Sequence, residues 1–205
     1  MEQFSTGIIE PVSLLNPGRT SISFREDNGK AAMRPDLYWI PGPWRGKLAV
    51  ATRPRGGDWL EDEVAGWRAA GLDAVVSLLE RDEAAQLGLE EEREVTELKG
   101  LQFFSFPIPD RGVPASTKDA LKFLTEVTAA LGAGKNVAVH CRQGIGRSGM
   151  LAAASLMTSG MGAREAVDVV SKARGIAVPE TSGQLGWLKN LASEYLVLAS
   201  RFTTP

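Results

Sequence analysis

An α/β fold, with a central, mostly parallel sheet of about four to five strands flanked by helices, is what this 205-residue sequence predicts. Three observations point to it. Apolar runs too short for helices recur at 47–52, 74–79, 101–106 and 137–139. Between them lie segments with helical spacing, and this alternation is the order that parallel strands joined by helical crossovers require. The balance of 43% hydrophobic and 23% charged residues supplies a full core together with a charged surface.

Each element has a local reason. Residues 1–34 are rich in Ser, Gly, Pro and Asn (Asn16-Pro17-Gly18, Asp27-Asn28-Gly29) and read as an irregular N-terminal extension, packed through Ile8, Ile9, Leu14 and Leu15; residues 35–205 form the domain. Arg53-Pro54-Arg55-Gly56-Gly57 ends the first strand run. Asp58 with Glu61 three positions on forms a capping-box pattern, and Leu60, Val64 and Trp67 follow at helical spacing until Gly71 stops them. Residues 82–99 are acidic and helical in pattern. Ser116 or Thr117 caps a helix that runs to about Leu131. Residues 137–139 form a short strand leading directly to Cys141. Apolar helices follow at 150–157 and 164–173, and the last spans about 183–200.

Lys and Arg number 23 against 25 Asp and Glu, a net charge of −2, which excludes the basic excess of a general nucleic-acid binder. One cysteine permits no internal disulfide, which suits a reducing compartment. No apolar stretch approaches the roughly 18 residues of a membrane helix, and the N-terminus has no basic stretch followed by an apolar one. The expectation is a cytoplasmic chain with neither membrane nor nucleic acid as partner.

The only histidine and the only cysteine are adjacent, opening His140-Cys141-Arg142-Gln143-Gly144-Ile145-Gly146-Arg147-Ser148-Gly149. A thiol at its usual pKa of about 8.5 is only a few per cent ionised at neutral pH. Here Cys141 ends a strand, and a helix begins near Ser148, whose N-terminus offers free N–H donors and a positive dipole end. Arg147 is permanently charged, and its planar fork matches two oxygens of a phosphate. Such surroundings lower cysteine pKa values to roughly 3.5–7.5. Gly144 and Gly146 let the backbone turn tightly, and Ser148 is placed to donate to the sulfur. The reading is a thiolate nucleophile in a phosphate-binding loop; its bland competitor is a buried structural cysteine in a Gly-rich turn. Gly144-x-Gly146-x-x-Gly149 also fits a dinucleotide fingerprint with Glu165 as the ribose acid. That is rejected, because Glu165 lies in a helical pattern with Ala166, Val167 and Val170, and Arg147 is too bulky between the glycines. A Cys–His protease fails because His140 directly precedes the cysteine on a strand and points to the opposite face.

Thiolate attack on a phosphomonoester requires a proton for the departing oxygen. Asp110, in Phe106-Pro107-Ile108-Pro109-Asp110-Arg111-Gly112-Val113-Pro114, is the candidate, with Glu80 and Asp82 in reserve. The alternative for Asp110 is a Pro-Asp turn in which it bonds its own backbone. Arg53 and Arg55 are candidates for the site rim.

The stretch from His140 to Gly149 resembles the signature of the protein tyrosine phosphatase superfamily: His-Cys, five residues, then Arg followed by Ser or Thr. The chain looks most like its compact dual-specificity group, including the cyclin-dependent-kinase-inhibitor-associated phosphatases, over residues 48–200. The resemblance implies a dual-specificity phosphatase-like fold and phosphomonoester hydrolysis through a phosphocysteine intermediate. It assigns Cys141 as nucleophile, Arg147 as phosphate clamp, Ser148 as the hydroxyl assisting thiolate release, and His140 as the residue tuning the cysteine from behind. Arg142, Gln143, Gly144, Ile145, Gly146 and Arg147 would supply the phosphate-binding amides, with vanadate, phosphate or sulfate expected in the same place. Asp110 would be the general acid. Residues 174–184 look like the late loop in which a glutamine positions the hydrolytic water, here Gln184, the alternative being a place in the first turn of a helix capped by Thr181. No metal or cofactor is implied. The expected substrate is phosphotyrosine in a protein or peptide, with phosphoserine and phosphothreonine included because no Asn-Arg-Tyr segment builds a deep pocket wall. Inositol phosphates or phosphoinositides are an alternative, as are a rhodanese-like sulfurtransferase, whose loop is usually one residue shorter, and a phospho-binding module without turnover.

Overall fold

The computed structural model describes residues 35–202, with side chains through Ser193. The expected extension at 1–34 lies outside the described residues. Five strands form one sheet: β1 (Leu37–Ile40), β2 (Leu48–Ala51), β3 (Ala74–Ser77), β4 (Gln102–Ser105) and β5 (Val137–His140), in the spatial order β1-β2-β5-β3-β4. Only the β1–β2 pair is antiparallel; β2–β5, β5–β3 and β3–β4 are parallel. The predicted fold class is observed.

The helices are α1 (Leu60–Ala69), α2 (Arg81–Gln86), α3 (Glu92–Leu98), α4 (Thr117–Gly132), α5 (Arg147–Thr158), α6 (Ala163–Arg174) and α7 (Ser182–Phe202). They cover both faces of the sheet, as parallel strands demand. Alternation along each strand sorts the core. Leu48, Val50, Ala74, Val76, Val137 and Val139 face the layer containing α4, α5 and α6. Ala49, Ala51, Val75 and Ala138 face α1 and α3 through Val64, Trp67 and Val95. The helix α5 is buried from Arg147 to Met157, so its small residues Gly149, Ala152, Ala153 and Ala154 are what lets it lie close against its neighbours.

The local predictions hold in most places, with three differences. β1 has no counterpart in the sequence reading: a four-residue run beside Pro41-Gly42-Pro43 is too short to show a period. The capping box at Asp58 does not form, because a 3-10 turn over Gly57–Trp59 winds the chain into α1 and no side chain caps that helix. The acidic stretch 82–99 is two short helices, α2 and α3, rather than one. Ser116, by contrast, does cap α4, its hydroxyl accepting from the Asp119 N–H at 3.2 Å.

The ladder continues past the strands at their carboxyl ends. Leu78 N–H donates to the His140 carbonyl, Phe106 N–H to that of Ser77, and Ile108 N–H to that of Leu78. The segments after β3, β4 and β5 are thereby held side by side at one edge of the sheet, the edge at which open α/β sheets bind ligands.

Candidate active site

Cys141 leaves β5 with its side chain on the α5 face, 3% exposed, beneath an open depression of about 180 Å³. Arg142, Gln143, Ile145, Gly146 and Arg147 line that depression with Asp110, Arg111 and Glu180. The loop from Cys141 to Gly146 then winds directly into α5. Gly144 makes this curl possible: its φ is +67°, and a Cβ there would stand 2.5 Å from the Ala51 carbonyl oxygen. Arg174, near the end of α6, fastens the outside of the loop. Its Nε donates to the Gly144 carbonyl at 2.8 Å and its Nη2 to that of Gln143 at 3.2 Å. The same guanidinium stacks 3.9 Å above the Tyr38 ring of β1. On the other side of the loop, the Gln143 and Ser148 N–H groups are directed at the Cys141 sulfur.

The sulfur of Cys141 lies 3.4 Å from the Ser148 hydroxyl. Burial works against the thiolate. The Ser148 hydroxyl and N–H, the Gln143 N–H and the Arg147 charge outweigh it, so the thiol titrates below its ordinary range. The expected electrostatic setting of Cys141, Arg147 and Ser148 is therefore present.

Arg147 is 2% exposed, and both of its terminal nitrogens are engaged by acceptors. Nη1 donates to Glu83 Oε2 at 2.6 Å and to the Ile108 carbonyl at 3.0 Å; Nη2 donates to Glu83 Oε1 at 2.8 Å and to Asp110 Oδ1 at 2.9 Å. Glu83, from α2, thus grips the guanidinium with both oxygens, a bidentate pair of the strongest kind. Burial pushes the Glu83 carboxyl up, but Arg147, with help from Arg142, holds it below the usual carboxylate range. Sequence reasoning missed Glu83. It named Glu80 and Asp82 from the same acidic run, and both are exposed, Glu80 at the N-cap of α2 and Asp82 in its first turn.

Asp110 reaches the site from the segment after β4, its side chain 59% exposed at the mouth. A turn closed by Gly112 N–H to the Pro109 carbonyl presents it, with Arg111 in the left-handed region at φ 58°. Three contacts dock this turn on the start of α7 and the residues just before it: Arg111 pairs with Glu180 at 3.2 Å, Thr181 donates to the Arg111 carbonyl at 3.5 Å, and Gln184 Nε2 donates to the Gly112 carbonyl at 3.0 Å. Gln184 is fully buried beside the loop, and a Cβ on Gly146 would meet its amide oxygen at 3.1 Å. Its backbone N–H also bonds the Thr181 hydroxyl, while its amide oxygen accepts from the Thr181 N–H. The capping geometry read from the sequence is thus formed, at a place adjoining the loop. Arg55 instead pairs with Glu63 and stacks on Trp59, and neither it nor Arg53 lines the depression.

His140 projects to the other face of the sheet, against Trp67, with its Nε2 at 2.7 Å from Glu92. Among the described residues no group of three or more His, Cys, Asp or Glu side chains is placed to hold a metal ion, and no helix is long and apolar enough to cross a membrane.

Comparison with known proteins agrees with this geometry. Residues 49–161 match the family described as Tc-R-P, polymorphic toxin system, DSP-PTPase phosphatase. The protein tyrosine phosphatase domain-containing protein 1 of Danio rerio is 35% identical over 146 residues, 67% of this chain and 20% of that protein. The chain therefore spans about a fifth of the length of that curated relative. The crystal structure of Tk-PTP in its active form superposes with a TM-score of 0.65 at 33% identity, covering 78% of this chain and 99% of the other. Kinase-associated phosphatase, solved with a substitution of its catalytic-site cysteine by serine, gives a TM-score of 0.74 at 17% identity over 80% of this chain and 97% of the other, a likeness of fold. A matched family model, a 33%-identical structure covered almost end to end, and a buried thiol under an arginine-closed loop lead to one conclusion: the chain belongs to the cysteine-dependent protein tyrosine and dual-specificity phosphatases.

Proposed function

We propose that the protein hydrolyses phosphotyrosine in proteins or peptides, with phosphoserine and phosphothreonine as further substrates, through a phosphocysteine intermediate on Cys141. In this reading Cys141 attacks phosphorus in line while Arg147 and the amides of residues 142–147 stabilise the charge spread over the equatorial oxygens. Asp110 protonates the leaving oxygen. Water placed by Gln184 then attacks the phosphocysteine, Asp110 accepts its proton, and the Ser148 hydroxyl eases the departure of the thiolate. No metal or cofactor takes part.

The observation that carries the reading is the meeting of Cys141, Arg147 and Asp110, from β5, α5 and the segment after β4, around one depression. A phospho-binding module has no use for a carboxylate 2.9 Å from the phosphate-clamping guanidinium. A protein monoester is favoured over a polyphosphorylated headgroup by the rim. Arg111 and Arg142 there are balanced by Asp110 and Glu180, so the mouth offers no excess of positive charge for a second phosphate.

The test is turnover of an aryl phosphate in chelator, blocked by vanadate, in the wild type and in Cys141→Ser. We expect turnover to vanish in the variant while phosphotyrosine peptides still bind it. Undiminished turnover by Cys141→Ser would remove the nucleophile from the account. Preferential hydrolysis of phosphoinositide vesicles over phosphopeptides would replace the substrate class.

A further inference from the structure

Behind Cys141, on the opposite face of β5, lies a buried contact between a histidine and a glutamate that the steps above leave unused. His140 is fully buried, and Glu92, projecting from α3, is 3% exposed. The imidazole Nε2 stands 2.7 Å from Glu92 Oε1, while Nδ1 faces the Cys141 carbonyl at 3.4 Å. Trp67, from α1, packs against the ring with centroids 5.7 Å apart. Neither Nε2 nor Oε1 has an aligned hydrogen-bond partner, although the two atoms stand this close together. A carboxylate buried without a cation costs several kcal/mol, and His140 is the cation this one faces.

We propose that Glu92 is a positioning residue for the phosphatase reaction: its buried carboxylate holds His140 as an imidazolium directly behind Cys141, so that the sulfur has positive charge at its rear as well as Arg147 in front. The polarity has the right sign. Glu92 meets the Nε2 edge of the ring and the Cys141 carbonyl faces the Nδ1 edge, so of the two partners the imidazole is the one next to Cys141. The charged groups acting on His140 are Glu92 from α3 and Cys141 on its own strand; Trp67 on α1 is not ionisable. Burial opposes protonation of the ring, yet the Glu92 charge and contact, together with Cys141, raise its pKa above the ordinary value.

The kinetic consequence rests on Cys141 being the attacking group, but the sulfur and the ring can be titrated without turnover. The Cys141→Ser assay tests that role separately. Because His140 is the sole histidine, its imidazole NMR signals in the untagged chain belong to one residue. They should report a doubly protonated ring at pH 7, and a neutral ring there would overturn the proposal. In Glu92→Gln the midpoint of iodoacetamide alkylation should rise by about one unit, with about tenfold less thiolate on its acid side. The acid limb of kcat/KM should follow. In a His140→Gln background the same substitution should produce no further shift. An unchanged midpoint, or an equal shift without the imidazole, would reduce Glu92 to a packing residue. Should Glu92→Gln fail to fold, the NMR titration of the unaltered protein still decides.

Discussion

Arg147 has five N–H donors and, in the proposed reaction, two sets of claimants: the residues that hold it and the phosphate oxygens. Glu83 fixes the plane of the fork, and removing its charge leaves a buried guanidinium without its main partner. We expect Glu83→Gln to destabilise the fold by about 3 kcal/mol and to weaken vanadate binding, measured by urea unfolding and by inhibition. Since the folded-state pKa of Glu83 is lowered, its contribution is fully present above the unfolded carboxylate value and is lost as pH falls through the folded value. The stabilities of wild type and variant should therefore differ at pH 6 and converge in acid; a constant gap would show that shape, not charge, is responsible. Asp110→Asn should slow hydrolysis of an unactivated phosphoester by about 10²–10⁴-fold and affect activated aryl esters least, which a leaving-group series would reveal. At this scale the signature made Cys141, Arg147 and Ser148 legible, and the Pro-Asp segment made Asp110 so. Glu83 was illegible because Asp82 and Glu83 are adjacent acids in a six-residue helix with no apolar period to phase it.

Among elements, the boundary between β5 and α5 is the most demanding, since the loop must reverse direction against β2 without a side chain at Gly144. In Gly144→Ala the new methyl would meet backbone, not a flexible side chain, at a positive φ that L-residues rarely adopt. We expect a loss of about 2 kcal/mol in stability and a larger proportional loss of vanadate affinity than of overall fold, compared by thermal melting and inhibition. The elements read best from sequence were those with a clear period or cap. α4 has Leu124, Val127 and Leu131 inward behind the Ser116 cap, and β2, β3 and β5 are fully buried runs, apolar but for Ser77 and His140 at their ends. β1 stayed hidden because its hydrogen bonds come from a neighbour in space, and four residues beside prolines carry no repeat of their own.

For the whole molecule, alternation of strand and helix disclosed a parallel sheet but not its order, because which strand lies beside which is decided by long-range packing. The last strand in sequence, β5, is inserted between β2 and β3, where it is central and buried, and so the reactive sulfur has a strand on either side to fix it. A single thiol in 205 residues also shapes the oxidative chemistry of the entire chain. Peroxide should convert Cys141 to a sulfenic acid or a backbone sulfenamide and never to an intrachain disulfide, which mass spectrometry of the oxidised protein would distinguish. The stack of Arg174 on Tyr38 ties an edge strand of the sheet to its innermost chemistry. Trimming the polypeptide beyond Ile40 would therefore do more than bare an edge. It would unseat the aromatic shelf beneath that arginine and slacken a ring of amides many residues downstream, so damage at the periphery would register first as poorer anion capture.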